Sequence, residues 1–233
     1  MKTCTARVLV LLLLSLGLTG CYEVESRLIQ TVDRSWDAGE LDTLDLETVN
    51  GRVEVLASSS DQVVVRAEIT SSQRTEDEVV RFTTEEGVLK VRERWPRKKG
   101  FLPFNRGSGG SVRYEIEVPE TLTLDVGTTN GRIETHGVRG EQSLSSVNGR
   151  IEIDTPDAEI EARTVNGRIE ARFHETFHRA ELKTVNGSVK VFVPAGTKVA
   201  ADVDQVNGSF NSRLPVVVNS RGAEGTALRV TTV

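Results

Sequence analysis

The dipeptide Asn-Gly occurs six times in this chain of 233 residues, at Asn50-Gly51, Asn130-Gly131, Asn148-Gly149, Asn166-Gly167, Asn186-Gly187 and Asn207-Gly208. From Asn130 onward the spacings are 18, 18, 20 and 21 residues, and a period near 20 constrains the fold before any single motif does. Count each asparagine as position zero. Position −4 then holds Leu46, Val126, Leu144, Ala162, Leu182 and Val203, and position −2 holds Thr48, Thr128, Ser146, Thr164, Thr184 and Gln205. Position +3 holds Val53, Ile133, Ile151, Ile169, Val189 and Phe210. Apolar and polar residues alternate on both sides of the dipeptide, which is the period of a strand with one buried face. Each repeat therefore reads as strand, Asn-Gly corner, strand and second turn, with second turns at Thr155-Pro156-Asp157 and Pro194-Ala195-Gly196. Glycine is expected to supply positive φ at the corner. The valine before most of the asparagines is expected to turn inward.

Two architectures share this pattern. In a β-solenoid, equivalent residues stack in columns about 4.8 Å apart. In an antiparallel meander, each Asn-Gly is a two-residue hairpin turn. Both bury the same positions, and near-identical repetition of whole coils favours the solenoid. The expected fold class is all-β: a parallel β-solenoid of 18–21-residue coils, with longer strands in the N-terminal half. Those strands, at 62–69, 79–85, 88–94 and 112–118, fill the 80 residues between Asn50 and Asn130 and belong to the same sheet system. At the C-terminal end, Leu228, Val230 and Thr232 match the positions that precede an Asn-Gly, so this strand is expected to cap the stack unless the repeat stops early.

Stretches such as "TVNGRIE" (164–170), "GRVEVLASSSDQVVVRAEI" and "VRYEIEVPETLTLDV" resemble the bacterial putative-adhesin families of unknown function, from about residue 42 onward. That resemblance implies an envelope-associated β-solenoid and carries over no chemistry.

Residues 1–20 read as a secretory signal: Lys2 and Arg7 precede an apolar run too short to span a bilayer as a stable helix. It ends in Leu18-Thr19-Gly20-Cys21, which resembles a bacterial lipoprotein box whose cysteine becomes the acylated first residue, a site of palmitate-type modification. Tyr22 follows, as in Gram-negative lipoproteins sorted to the outer membrane. Residues 21–26 form a short tether, and 27–233 a single adhesin-like domain beside its membrane. Cys4 leaves with the signal and Cys21 carries lipid, so no disulfide forms within the mature chain. Removing Lys2 and Arg7 leaves 27 basic against 34 acidic residues, a net of −7, which argues against bulk nucleic-acid binding.

One string looks catalytic. His174-Glu175-x-x-His178 matches the zinc-protease signature, which needs both histidines on one helical face. Here strand-period residues flank it on both sides, and it falls where neighbouring coils carry their second turn. The only other histidine is His136, about two coils upstream. A loop is expected, with Phe173 and Phe177 covering the core edge and at most weak surface metal binding by His174 and His178.

A second candidate is basic. Between Lys90 and Arg113 stand eight positive charges against Glu93 alone. Within this stretch, Arg94, Trp95, Arg97, Lys98, Lys99, Phe101, Phe104 and Arg106 form a candidate anionic-surface site, most of it on a Gly-rich loop at 97–111. The alternative is a solvated hairpin whose aromatics fold back onto the stack. Third, arginines at +2 (Arg52, Arg132, Arg150, Arg168) and glutamates at +4 (Glu54, Glu134, Glu152, Glu170) should form paired outer columns that keep the sheet soluble, the alternative being a binding face. The functional expectation is a lipid-anchored envelope protein presenting a non-catalytic scaffold or adhesin-like surface, with no cofactor. Its partners would be the membrane and an envelope protein, anionic lipid or glycan. The alternatives are a polysaccharide-acting β-helix enzyme and a zinc hydrolase.

Overall fold

The computed structural model describes residues 28–71, 79–95, 110–175, 177, 179–197, 199–205, 216–218 and 226–232, with side chains as far as Thr197. The fold is all-β. Its strands are β1 (Leu28–Asp37), β2 (Thr43–Ser58), β3 (Gln62–Ser71), β4 (Val80–Glu85), β5 (Val88–Glu93), β6 (Gly110–Pro119), β7 (Thr123–His136), β8 (Gln142–Thr155), β9 (Ile160–Phe173), β10 (Arg179–Phe192), β11 (Val199–Gln205), β12 (Val216–Val218) and β13 (Thr226–Thr232). A single 3-10 turn at Ala38–Glu40 links β1 to β2.

The repeats stack in parallel and in register. Asn50, Asn130, Asn148, Asn166 and Asn186 pair successively across β2, β7, β8, β9 and β10. Each strand is bent at its Asn-Gly. In β8 the buried residues are Gln142, Leu144 and Ser146 before the corner, then Ile151, Ile153 and Thr155 after it. The step from 146 to 151 is odd, so the corner reverses the alternation. Both legs thereby keep their apolar side on the same interior. Leu124, Leu144, Ile151 and Ile169 are essentially without solvent exposure, and each such side chain contributes roughly 1.5–3 kcal/mol by burial.

The N-terminal strands extend this stack differently. The first leg of β2 pairs in parallel with β5, and β4 folds back antiparallel on β5. The second leg pairs in parallel with β6, which continues antiparallel to β3 and then β1. Trp36 of β1 meets Phe82 of β4 with ring centroids 5.3 Å apart, so the two arms close over the end of the core. The sheet is mixed rather than wholly parallel: its antiparallel pairs, β1 with β3, β3 with β6 and β4 with β5, all join N-terminal strands that lack Asn-Gly. The 80-residue gap is consistent with this, because β2 and β7 are direct neighbours and the intervening strands lie on the far side of β2.

Two further expectations are corrected. The valines before the asparagines face outward: Val49, Val147 and Val165 are 45%, 42% and 40% exposed. They stand outside because the corner turns the peptide away from the core just after position −2. The last strand, β13, does not cap the stack. It lies between β10 and β11, parallel to both, with Leu228, Val230 and Thr232 beside Ala180, Leu182 and Thr184. Its alternation matches the first leg of any coil, so its register follows from sequence while the order of neighbours does not.

Candidate binding surface at the Asn-Gly corner

The corner does not use glycine as a hairpin turn would. Among the described repeat glycines only Gly51 has positive φ, at 151°. The others are required by approach between coils. A Cβ on Gly149 would lie 1.7 Å from the carbonyl oxygen of Gly131, and one on Gly167 would lie 1.7 Å from that of Gly149. The same Cβ would also crowd the coil's own hydroxyl at −2: 2.8 Å from Ser146 Oγ at Gly149, and 2.9 Å from Thr164 Oγ1 at Gly167. Thr128, Ser146, Thr164 and Thr184 thus form a buried hydroxyl column that fits only because the residue three places on has no side chain.

Outside the glycines runs an asparagine ladder. Asn130 Nδ2 donates to Asn50 Oδ1 at 3.1 Å, Asn148 to Asn130 at 2.9 Å, Asn166 to Asn148 at 2.8 Å and Asn186 to Asn166 at 3.0 Å. Each amide has a second N–H that the ladder does not need. Beside the ladder, Gly149, Gly167 and Gly187 floor an open groove of about 450 Å³, with Arg150 and Arg168 along it.

The expected charge columns are paired in the coils of Asn50, Asn130 and Asn148, whereas in the coil of Asn166 Glu170 pairs with Arg172. Arg150 Nη1 binds Glu152 Oε1 at 2.8 Å, and this bond holds the Glu152 carboxyl below its ordinary range. Arg132 reaches Glu134 at 2.9 Å, while Arg52 binds both Glu54, at 3.1 Å, and Glu134. Glu54, Glu134 and His136 bring ligand atoms within 4.8 Å of one another. Two guanidinium groups already hold Glu134, so the cluster is organised as an ion-pair node.

The zinc-like string is not helical among its described residues. His174 pairs with Asp154, and Glu175 accepts from Arg139 at 2.9 Å, which holds its carboxyl low. The backbone amides of His174 and Glu175 donate to Thr155 and Pro156 of the coil below, so the segment stacks as a second turn. Phe173 and Phe177 are buried and stacked, 3.8 Å between centroids, as a core lid. His178 lies outside the described residues, as do Cys21 and Asn207-Gly208.

Most of the basic candidate (Arg97, Lys98, Lys99, Phe101, Phe104 and Arg106) also lies outside them. Of the described part, Arg94 is exposed, with its backbone amide on Val79, while its neighbours are engaged in the fold. Lys90 pairs with Glu85 at 2.9 Å, and Arg92 contacts Asp45 and, at 3.3 Å, Glu47. Trp95 is half-buried against Gly110 and donates its indole N–H to Glu93 at 2.9 Å. Glu93 also accepts from Thr48 and, at 3.2 Å, from the Tyr114 hydroxyl, whose ionisation is driven far above the usual range by burial and by Glu93. Sequence reasoning missed this inward carboxylate. The alternation Leu89, Val91, Glu93 was the signal for it, because strand parity turns all three to one side.

No family model matches the chain, and no curated protein matches it in sequence. Among solved structures it is similar to a "putative cell adhesion protein" from Clostridium sporogenes, at 10% identity over 88% of this chain and 94% of that one, with a TM-score of 0.43. A "putative adhesin" from Parabacteroides merdae aligns at 10% identity over 88% and 96% of the two chains, TM-score 0.29. One from Parabacteroides distasonis aligns at 14% identity over 88% and 97%, TM-score 0.29.

Proposed function

We propose that this chain is a lipid-anchored cell-envelope protein, held at the outer membrane through Cys21, whose β-solenoid-type stack is a non-catalytic, adhesin-like binding surface. The observation that carries this reading is the corner itself. Identical residues recur in register on a rigid backbone, giving an exposed strip of amides, glycines and arginines that runs along the stack. Further support comes from the one catalytic-looking string, whose described polar side chains, His174 and Glu175, are committed to Asp154 and Arg139. Partners would be an envelope protein or glycan met at short range, since only six residues separate Cys21 from β1.

Metabolic labelling with palmitate in a Gram-negative host tests the anchor. Incorporation that disappears in Cys21→Ser is the expected result, and an unlabelled chain in the soluble fraction would refute it. Metal analysis of purified protein tests the non-catalytic half. One tightly held zinc per chain, lost in His174→Ala, would replace this reading with a zinc hydrolase.

A further inference from the structure

The outer face of the second leg changes character along the stack. In the coils of Asn50, Asn130 and Asn148, every arginine at +2 is bound to a glutamate at +4. In the coil of Asn166 that pairing is broken. Glu170 is taken by Arg172, and among the described residues the partner of Arg168 is a neutral hydroxyl, Ser188 Oγ at 3.3 Å. The next coil sets Ser188 beside Arg168 and Lys190 beside Glu170. Lys190 is exposed and has no ion pair among the described residues. On the outer face of their second legs, these two coils therefore present Arg168, Arg172 and Lys190 against Glu170. Beside them lies Phe192, 47% exposed, with the Arg172 guanidinium 4.9 Å from its ring centroid. The groove floored by the glycines opens onto the same coils.

We infer that this end of the corner strip binds a linear acidic polysaccharide of the polyuronate class. This rests on the binding-surface reading above and names its ligand. Arg168 and Lys190 take carboxylates, and the spare amide N–H groups of Asn166 and Asn186 meet ring hydroxyls. A chain suits the site better than a compact ligand, because one amide recurs at each coil, about every 4.8 Å along the groove. The charge pattern selects the density of the anion. Two cations without an ion pair among the described residues, flanked by Glu152 and Glu170 on a chain of net charge −5, favour separated single carboxylates and repel a densely charged polyphosphate or nucleic acid. A neutral glycan leaves both cations unused.

Calorimetric titration of the full chain in detergent micelles with oligogalacturonate tests this. Saturable binding is expected. It should fall about tenfold in the Arg168→Gln/Lys190→Gln double variant, since charge-assisted hydrogen bonds are the strong ones. It should be abolished when the same oligomer is fully methyl-esterified, and unchanged in Arg66→Gln on the other end of the sheet. The inference is overturned by absence of binding, by undiminished binding in the double variant, by equal affinity for the methyl ester, or by tighter binding of duplex DNA or polyphosphate. Such a failure alongside intact palmitate labelling of Cys21 would remove the polyuronate and leave the tethered surface standing.

Discussion

The stack β7–β10 and the cap β1–β6 bury the same kind of residue at the same strand period, yet they are built to different tolerances. In the stack, each Gly carbonyl sits where the next coil's Cβ would be, so one residue type is admissible at that place in every coil. In the cap, β3 pairs antiparallel with β6 and β4 with β5, and the glycine column ends at Gly51 of β2, where a Cβ would lie 1.8 Å from the Val112 oxygen. Its order comes from particular side chains instead: Trp36 on Phe82, and Glu93 gathering Thr48, Trp95 and Tyr114. Repetition in this molecule thus marks a backbone-to-backbone constraint, and divergence marks a region held by its side chains.

That contrast can be broken most sharply at the corner. Gly167→Ala places a methyl 1.7 Å from the Gly149 oxygen. It should cost about 3 kcal/mol or more in urea unfolding, as severe overpacking does. Gly196→Ala is the counter-case. It has open space but φ of 86°, so its cost should stay at about 1 kcal/mol, the left-handed penalty alone. Equal losses at the two sites would mean that the coils can spread and that close approach is not the constraint.

In the cap, Glu93→Ala strips the acceptor from three donors and should cost about 2 kcal/mol, with Glu93→Gln costing less because it keeps one carbonyl. Side-chain rather than backbone control predicts that ordering of the two variants. Back in the stack, Asn166→Ala removes two rungs of an exposed ladder and should lose about 0.5–1 kcal/mol, measured by the same unfolding curve.

The smallest effects are read against pH. The Arg150 bond lowers the Glu152 carboxyl in the fold, so its contribution is complete above the ordinary carboxylate range and is lost as pH falls through the folded value. Glu152→Gln should therefore flatten the acid limb of stability slightly. Asp125 has the opposite sign. Burial, and then Asp45, raise its folded value, so it costs stability once pH rises above the ordinary carboxylate range. Asp125→Asn should stabilise at pH 7, and the gain should vanish as pH falls below that range.

Much of this was legible because strand parity is a strict code. The places of β3–β6 to within two residues, the inward legs of the described coils, and the register of Leu228, Val230 and Thr232 all follow from alternation. The non-helical reading of the string at His174 and Glu175 followed from the same source, since the residues flanking it keep strand period. Alternation cannot report what depends on distance between coils. Asn-Gly is the same letter pair in a hairpin with positive φ and in a stacked corner without it, so the role of glycine was misread. The insertion of β13 between β10 and β11 was equally invisible, because first legs are interchangeable in register. The freed Arg168 depends on Arg172 reaching Glu170, a contact two residues along the same strand that no column count distinguishes.

The coil from Asn166 to Asn186 is two residues longer than those before it, and the surplus falls in the second turn, between Phe173 and Ala180, while the corner stays in register. The corner thus works as a gauge block: it fixes the thickness of every layer and passes any irregularity to the opposite side. A protein built this way grows in whole layers of constant height. Novelty enters only at the ungauged rim, where the His-Glu string arose without disturbing the ruler on which the stack is measured.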